Sequence, residues 1–469
     1  MATDKPMNLL ILMDDQHRHD ALSCANHPHV KTPNLDALAA SGVRFTQAVA
    51  NLPICVPCRH SFITGYYAHQ IGILSNQHSW EGDPPVPTLG QVLQDAGYAT
   101  ASIGKMHWKT ATTKRGFDFR AVRSDGESPD EPVDLNYEVE EPDRMAQYLS
   151  ERADYVRGGE CHPGYVGQTS KLTGDELPEA WLCDLAVDYL GKHPKDQPFC
   201  MMVSLDLPHP ANVVPKDYEG FVKPEDITLP PEVPEGFQEE DDHVTNQIAT
   251  RWADMTEDDI RLSQARYFTN VSYVDQCLGR VLNALKEQGL EENTLVVFFS
   301  DHGEMLGERN RTHTKYSLYE NAVRAPLIVR WPGRSQAGHV CDASVELVDL
   351  MPTWLEAAGL PISNSLPGRS LAPLLEGASS DKAAWRSSTL AEMYTSSRPQ
   401  WMLRESRYKL IERQGGNSAL FDLQQDPNEF ENRIEDPELA DIRDRMRLTL
   451  LERVMSTTQQ GANRLKPAP

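Results

Sequence analysis

A chain of 469 residues can bury a large core, and its length fits two or three domains or one large α/β domain with a small companion. A net charge of −24 argues against a nucleic-acid binder, because a phosphate backbone demands a basic surface. No stretch approaches the roughly 18 to 20 apolar residues of a membrane span, and the apolar run at 8–13 is too short, and too soon ended by aspartates, for a secretory signal. The expected address is cytoplasmic, or periplasmic where a leader has been removed, with no membrane partner. Eight scattered cysteines give no disulfide framework and agree with a reducing compartment.

Residues 8–13 read as a buried strand with Asp14 and Asp15 at its carboxyl end, where ligands collect in open parallel sheets. Such a pair also suits a plain turn or a helix cap. Thr32-Pro33 starts a helix that Gly42 ends, and residues 43–46 form a short strand leading to Cys55-Val56-Pro57-Cys58-Arg59, which continues to Gly65. This stretch places a thiol, a proline-stiffened turn and an arginine ahead of a helix, a way to hold one reactive side chain at a helix N-terminus. Its C-x-x-C spacing also suits a thioredoxin-like redox pair, or simply two small buried residues on a loop.

A helix over 88–96 and a strand over 98–103 deliver Gly104-Lys105-Met106-His107 to the same sheet edge. Residues 110–195 lack a period and are rich in Asp, Glu, Pro and Gly, which predicts an insertion of loops and short helices over the site. A strand over 199–205 precedes Pro208-His209-Pro210, where the histidine suits a structural role as well as a catalytic one. The segment 218–242 reads as an acidic, proline-rich surface loop and 257–288 as one long helix or two. The clearest buried strand, 294–300, ends in Asp301-His302-Gly303-Glu304. Carboxylates converging from two strand ends beside an imidazole form a set that divalent cations favour. A strand over 325–331, a helix over 345–358 and a linker over 361–379 follow. Beyond the linker, 388–393, 400–412 and 419–423 alternate as strands and 439–455 closes the chain as a helix; Trp401 and Arg404 there are read as scaffold ahead of pocket wall.

Asp14-Asp15, Thr32 to Leu35, Cys55 to Gly65, Gly104 to His107, Pro208-His209, Ser300 to Gly303, Lys315, Tyr319-Glu320 and the tail Leu420 to Glu429 occur in one particular order. In that order they resemble the formylglycine-dependent sulfatases of the alkaline phosphatase superfamily. The resemblance implies an α/β fold with a large mixed, mostly parallel sheet flanked by helices, over residues 1–375 with the insertion at 110–195. A small C-terminal α+β subdomain, an antiparallel sheet with a helix, is expected over 376–469. The implied reaction is hydrolysis of a sulfate monoester by a formylglycine hydrate, Cys55 having been oxidised by a formylglycine-generating enzyme acting on the unfolded chain.

The resemblance further implies that Asp14, Asp15, Asp301 and His302 bind one divalent cation. Calcium is the first candidate, and the imidazole also admits manganese or zinc. Many members carry asparagine where His302 stands, whereas choline sulfatases and phosphonate monoester hydrolases carry histidine. Arg59 would orient the hydrate, Lys105 and Lys315 would neutralise the transferring group, His209 would protonate the leaving alcohol, and His107 would assist the elimination that frees sulfate. Lys105, His209 and Lys315 would thereby also bind substrate. Lys315 follows a loop in which His313 is a further substrate-binding candidate or a solvent-facing residue, and Cys58 stands where serine is common. Two other readings stay open: a phosphonate monoester or phosphodiester hydrolase using the same aldehyde, and a non-catalytic metal-binding or thiol-redox protein. The alcohol half of the substrate and the oligomeric state are left undetermined.

Overall fold

A strand covered on both faces must be apolar on both. In β1 (Asn8–Asp14), Leu9, Ile11 and Met13 enter one core cluster while Leu10 and Leu12 enter another. The computed structural model describes residues 6–80, 82, 84–108, 113–121, 162–377, 385–394 and 398–462. Strand β1 lies within an eight-stranded sheet with β2 (Val43–Phe45), β3 (Ala99–Gly104), β4 (Phe119–Ala121), β5 (Phe199–Ser204), β6 (Thr294–Ser300), β7 (Leu327–Arg330) and β8 (His339–Cys341). The order across the sheet is β8-β2-β7-β6-β1-β5-β3-β4. Only β7 runs against its neighbours β2 and β6; every other pair is parallel.

Helices cover both faces. On the first, α2 (Cys55–Thr64), α3 (Leu89–Asp95) and α6 (Leu350–Ala357) supply Phe62, Leu93 and Trp354 to the core. On the second, α1 (Pro33–Ser41), α4 (Pro178–Lys192) and α5 (Glu257–Glu287) supply Leu35, Leu182 and Leu278. The start of α5 is fixed by Thr256, whose hydroxyl accepts from the Asp259 N–H at 3.2 Å. Among the described residues, no helix is long and apolar enough to cross a membrane.

A four-stranded antiparallel meander follows: β9 (Ser388–Met393), β10 (Gln400–Glu405), β11 (Tyr408–Arg413) and β12 (Ala419–Asp422). Leu390, Leu403, Leu410 and Leu420 stand in register on one face and pack with Met446 and Leu450 of α7 (Ala440–Ala462). Met402, Ile411 and Phe421 alternate with them and pack on Val49, Leu52 and Tyr319 from the part of the chain that builds the large sheet. Each buried leucine contributes roughly 2 kcal/mol of transfer free energy, so both faces hold the small sheet in place.

Four expectations change. Part of 110–195 is integral to the fold: β4 joins the large sheet and α4 packs against it, because the apolar residues of 178–192 do recur at helical spacing; residues 122–161 fall outside those described. The stretch 400–412 is two strands, broken by a bend at residues 406–407. The 361–379 linker contains a buried turn of helix, Ala372–Leu375, too short to show a period. The helix expected from 345 starts at Leu350, after a 3-10 turn over Leu347–Asp349.

Candidate active site

Because β1, β3, β5 and β6 are parallel, their carboxyl ends share one edge: Asp14 lies opposite Ser300, and both Met13 and Gly104 lie opposite Ser204. That edge carries Asp15 after β1, Lys105 after β3, Asp206 and His209 after β5, and Asp301 and His302 after β6. The N-terminus of α2 brings Cys55 to it, with the αL residue Gly65 (φ 76°) ending the helix. Gly65 has Met351 and Leu366 where a Cβ would go, so a side chain there would both strain the backbone and clash.

Cys55 Sγ lies 3.2 Å from His302 Nε2 and 3.6 Å from Asp15 Oδ1. Together with Asp301 these residues form a buried group whose ligand atoms all lie within 4.8 Å of one another. One helical turn on from Cys55, Arg59 organises the carboxylates. Its Nε donates to Asp301 Oδ2 at 2.8 Å, one terminal nitrogen donates to Asp15 Oδ2 at 2.9 Å, and the other to the Lys105 carbonyl at 2.6 Å and Ser204 Oγ at 2.9 Å. A guanidinium has only five N–H groups, so Arg59 acts chiefly as a clamp on the site. Burial opposes the charge on Asp15, yet Lys105 and Arg59 together hold its carboxyl well below the usual range.

Lys105 Nζ bridges Asp15 Oδ2 at 2.9 Å and Asp206 Oδ1 at 2.8 Å. Lys315 Nζ lies 2.9 Å from His209 Nε2 and donates to Gln16 Oε1 at 2.9 Å. Gln16 in turn donates through Nε2 to Glu304 Oε2, and the other Glu304 oxygen accepts from the Leu306 and Thr314 N–H groups. Burial pushes the Glu304 carboxyl up to about 7. The Pro210 carbonyl can only accept, so His209 carries its proton on Nδ1 and turns the Nε2 lone pair to Lys315. Burial, then Lys315 and Lys105, keep His209 neutral; burial, then Lys105 and Arg59, do the same for His107. His107 sits at φ 61°, an uncommon conformation for a residue with a side chain.

Asp14 is placed differently from the other three expected ligands. Its Oδ2 is taken by His17 Nδ1 at 2.6 Å, while Oδ1 is buried with no hydrogen-bond partner. His313 is fully buried, its ring edge-on to Tyr165 at 4.9 Å and tilted on Trp252 at 5.8 Å, so it is not a solvent-facing loop residue. Cys55 and Cys58 are both free, and their sulfurs engage different groups. Gln16, Ser204, Asp206 and Glu304 complete the site without having been singled out by sequence. Of these, Gln16 and Glu304 carry a signal, their places just behind Asp15 and Asp301 at strand ends.

A buried cysteine at a helix N-terminus, an acidic cluster held by an arginine, and two ammonium groups beside it make a site suited to anionic esters. The chain belongs to the sulfatase family and is a sulfuric ester hydrolase: the Sulfatase family model matches residues 6–360, and the N-sulphoglucosamine sulphohydrolase C-terminal model matches residues 307–456. It is 28% identical over 458 residues to an arylsulfatase of Clostridium perfringens (strain 13 / Type A), covering 95% of this chain and 94% of that protein. It is 28% identical over 448 residues to a choline-sulfatase of Rhizobium meliloti (strain 1021), covering 93% of this chain and 84% of that one. Among solved structures, a phosphonate monoester hydrolase from Silicibacter pomeroyi superposes with a TM-score of 0.76 at 27% identity, over 96% of each chain.

Proposed function

We propose that the protein hydrolyses a sulfate monoester to an alcohol and sulfate, with Cys55 oxidised to formylglycine as the source of the nucleophile and one divalent cation beside it. The observation that carries this reading is the position of Cys55 Sγ, within 3.6 Å of both His302 and Asp15 at the edge where four strands end.

The residues fit a cation. His302 donates its Nδ1–H to the Gly303 carbonyl at 3.0 Å, which leaves the Nε2 lone pair facing Asp15 and Asp301. Asp15, Asp301 and His302 would hold the ion, and Asp14, whose Oδ1 is buried without a hydrogen-bond partner, is the fourth ligand that the family resemblance implies. Carboxylates with one imidazole suit calcium and also manganese or zinc. When bound, the ion supplies Lewis-acid polarisation of an ester oxygen and of the aldehyde hydrate. Formylglycine supplies a geminal diol, one hydroxyl to attack sulfur and the other to release sulfate by elimination, so that no water need attack the enzyme-bound sulfate.

The chain's own side chains do the rest. Arg59 fixes Asp15 and Asp301, and Lys105 and Lys315 set positive charge around the transferring group in a medium where charge is poorly screened. The leaving oxygen takes its proton from the His209–Lys315 pair: the Lys315 ammonium holds that proton against His209 Nε2, and its transfer to the leaving oxygen leaves the pair one proton short until solvent restores it. His107, kept neutral, is the base for the second hydroxyl.

The superposition on a phosphonate monoester hydrolase favours one second reading, the same nucleophile acting on a phosphonate monoester. The test is expression with a formylglycine-generating enzyme, intact-mass analysis, and parallel assays on 4-nitrophenyl sulfate and 4-nitrophenyl phenylphosphonate. The expected result is the mass loss of a thiol-to-carbonyl change at Cys55 together with the larger kcat/KM for the sulfate. A much larger kcat/KM for the phosphonate replaces the first reading by the second, and full activity in Cys55→Ala removes both.

A further inference from the structure

Asp206 stands two residues beyond β5 and is buried, 6% exposed. Its Oδ1 lies 2.8 Å from Lys105 Nζ, so the ammonium bridges Asp206 and Asp15. Its backbone carbonyl accepts from the His209 N–H at 3.0 Å. One residue thus ties the end of β3 to the turn that carries His209. Its charge is also felt at His107 and His209, where it favours the protonated ring.

The charge balance gives this placement a consequence. Asp15 and Asp301 belong to the tight ligand cluster, whereas Asp206 does not. Asp206 therefore takes positive charge away from Lys105 without contributing a ligand to the cluster. Sulfate monoesters and phosphonate monoesters each bring a single negative charge, whereas a phosphate monoester brings about −1.5 to −2 at neutral pH. A carboxylate one hydrogen bond behind the lysine repels that second charge, and burial leaves the repulsion poorly screened.

We propose that Asp206 is a specificity-determining positioning residue, whose pairing with Lys105 lowers the positive charge of the anion site so that singly charged esters are accepted ahead of doubly charged phosphate monoesters. This rests on the ester-hydrolase reading of the Cys55 site, and holds equally whether sulfur or phosphorus is the natural centre.

The test compares the wild type with Asp206→Asn and Asp206→Glu on 4-nitrophenyl sulfate, 4-nitrophenyl phenylphosphonate and 4-nitrophenyl phosphate at pH 8. In Asp206→Asn the kcat/KM for the phosphate, relative to the better of the two monoanions, rises about tenfold, mainly through KM. Asp206→Glu keeps the wild-type ratio. A purely structural role lowers all three substrates in step, and a ratio unchanged within about twofold in Asp206→Asn overturns the proposal. Asp206→Ser makes the same charge change should the asparagine variant fail to fold. Calorimetric binding of methyl sulfate and methyl phosphate in a Cys55→Ala background supplies the second readout. There Asp206→Asn gains affinity for the doubly charged methyl phosphate over the singly charged methyl sulfate, and an unchanged selectivity counts against the proposal. That measurement needs no turnover, so loss of the hydrolase reading and loss of the Asp206 role give different results.

Discussion

The Cys58 thiol donates to the backbone carbonyl oxygen of Asp301 at 2.9 Å, tying α2 to the end of β6 beside the residue that Arg59 clamps. Cys58 is fully buried, so this carbonyl has no water to turn to if the donor is lost. A serine hydroxyl can make the same bond; a valine of similar size cannot. Cys58→Ser is expected to keep its Tm within a few degrees and most of its kcat. Cys58→Val is expected to lose about 1–2 kcal/mol of stability, the cost of an unsatisfied buried acceptor, and a larger share of kcat than of KM as Asp301 loosens. Wild-type Tm and kcat in Cys58→Val would show that the bond positions nothing.

The unconverted Cys55 thiol should be inert. Burial first, and the negative charge of Asp15 second, push its pKa up to about 12, the opposite of the depressed value a reactive or redox cysteine needs. At pH 8 only on the order of one molecule in 10⁴ carries the thiolate at this position. Iodoacetamide at pH 8 is therefore expected to leave Cys55 unlabelled in the folded, unconverted chain and to label it fully in urea, as read by peptide mass analysis. Rapid labelling of the folded chain would contradict the burial and revive the thiol-redox reading.

The main strands are legible because a strand covered on both faces reads as an unbroken apolar run with polar residues at its end, as at 8–13, 199–205 and 294–300. The same logic exposes Asp15, Asp301 and His302, and Gly65 marks where the helix of Cys55 stops. Ser204 and Asp206 stay hidden because each is a single polar residue whose partner lies far along the chain, at no fixed spacing, and Gln16 and Glu304 are marked only by their places beyond strand ends. The burial of His313, which excludes the solvent-facing reading, is hidden for a related reason: its loop looks polar, but Tyr165 and Trp252 arrive from two other segments to cover it. The reversed strand β7 gives no sign of its direction either, since four apolar residues look alike in both senses.

Acid should weaken the hold of α7 on the rest of the protein. Buried Glu346 accepts from Arg453 at 2.7 Å, from the Tyr67 hydroxyl at 2.6 Å and from the Leu390 N–H at 2.9 Å. Burial opposes its charge, but Arg453 and Arg386 draw its pKa down from 4.5 to about 2. A carboxyl whose folded pKa is depressed contributes stability that is complete above its unfolded pKa and is lost as pH falls through the folded one. The window is thus from pH 4.5 down to 2, and the stake is on the order of 3 kcal/mol. Glu346→Gln is expected to lower Tm at pH 7 and to flatten the loss of Tm between pH 4.5 and 2. Equal Tm differences between variant and wild type at pH 7 and pH 2 would refute the assignment.

A second tie between the small sheet and the rest of the protein is a buried ion cluster around Glu320. Arg404 of β10 grips its carboxylate with two bonds of 2.8 Å, and Lys409 of β11 adds a contact at 3.2 Å. Glu429 accepts from the Glu320 N–H at 2.7 Å and pairs with Lys409 at 2.7 Å. Removing one member of such a cluster leaves opposite charges buried without their match, which costs about 3–5 kcal/mol even though the intact cluster contributes little net stability over an apolar replacement. Arg404→Met is therefore expected to shift the urea midpoint strongly downward. Arg404→Lys keeps the charge but cannot span both oxygens, so its shift is intermediate. Combining Arg404→Met with Glu320→Gln should recover part of the loss, because the unmatched carboxylate goes with its partner. The double variant distinguishes charge matching from packing: if it is as unstable as the sum of the two single changes, the residues act independently and the cluster is not what joins the two sheets.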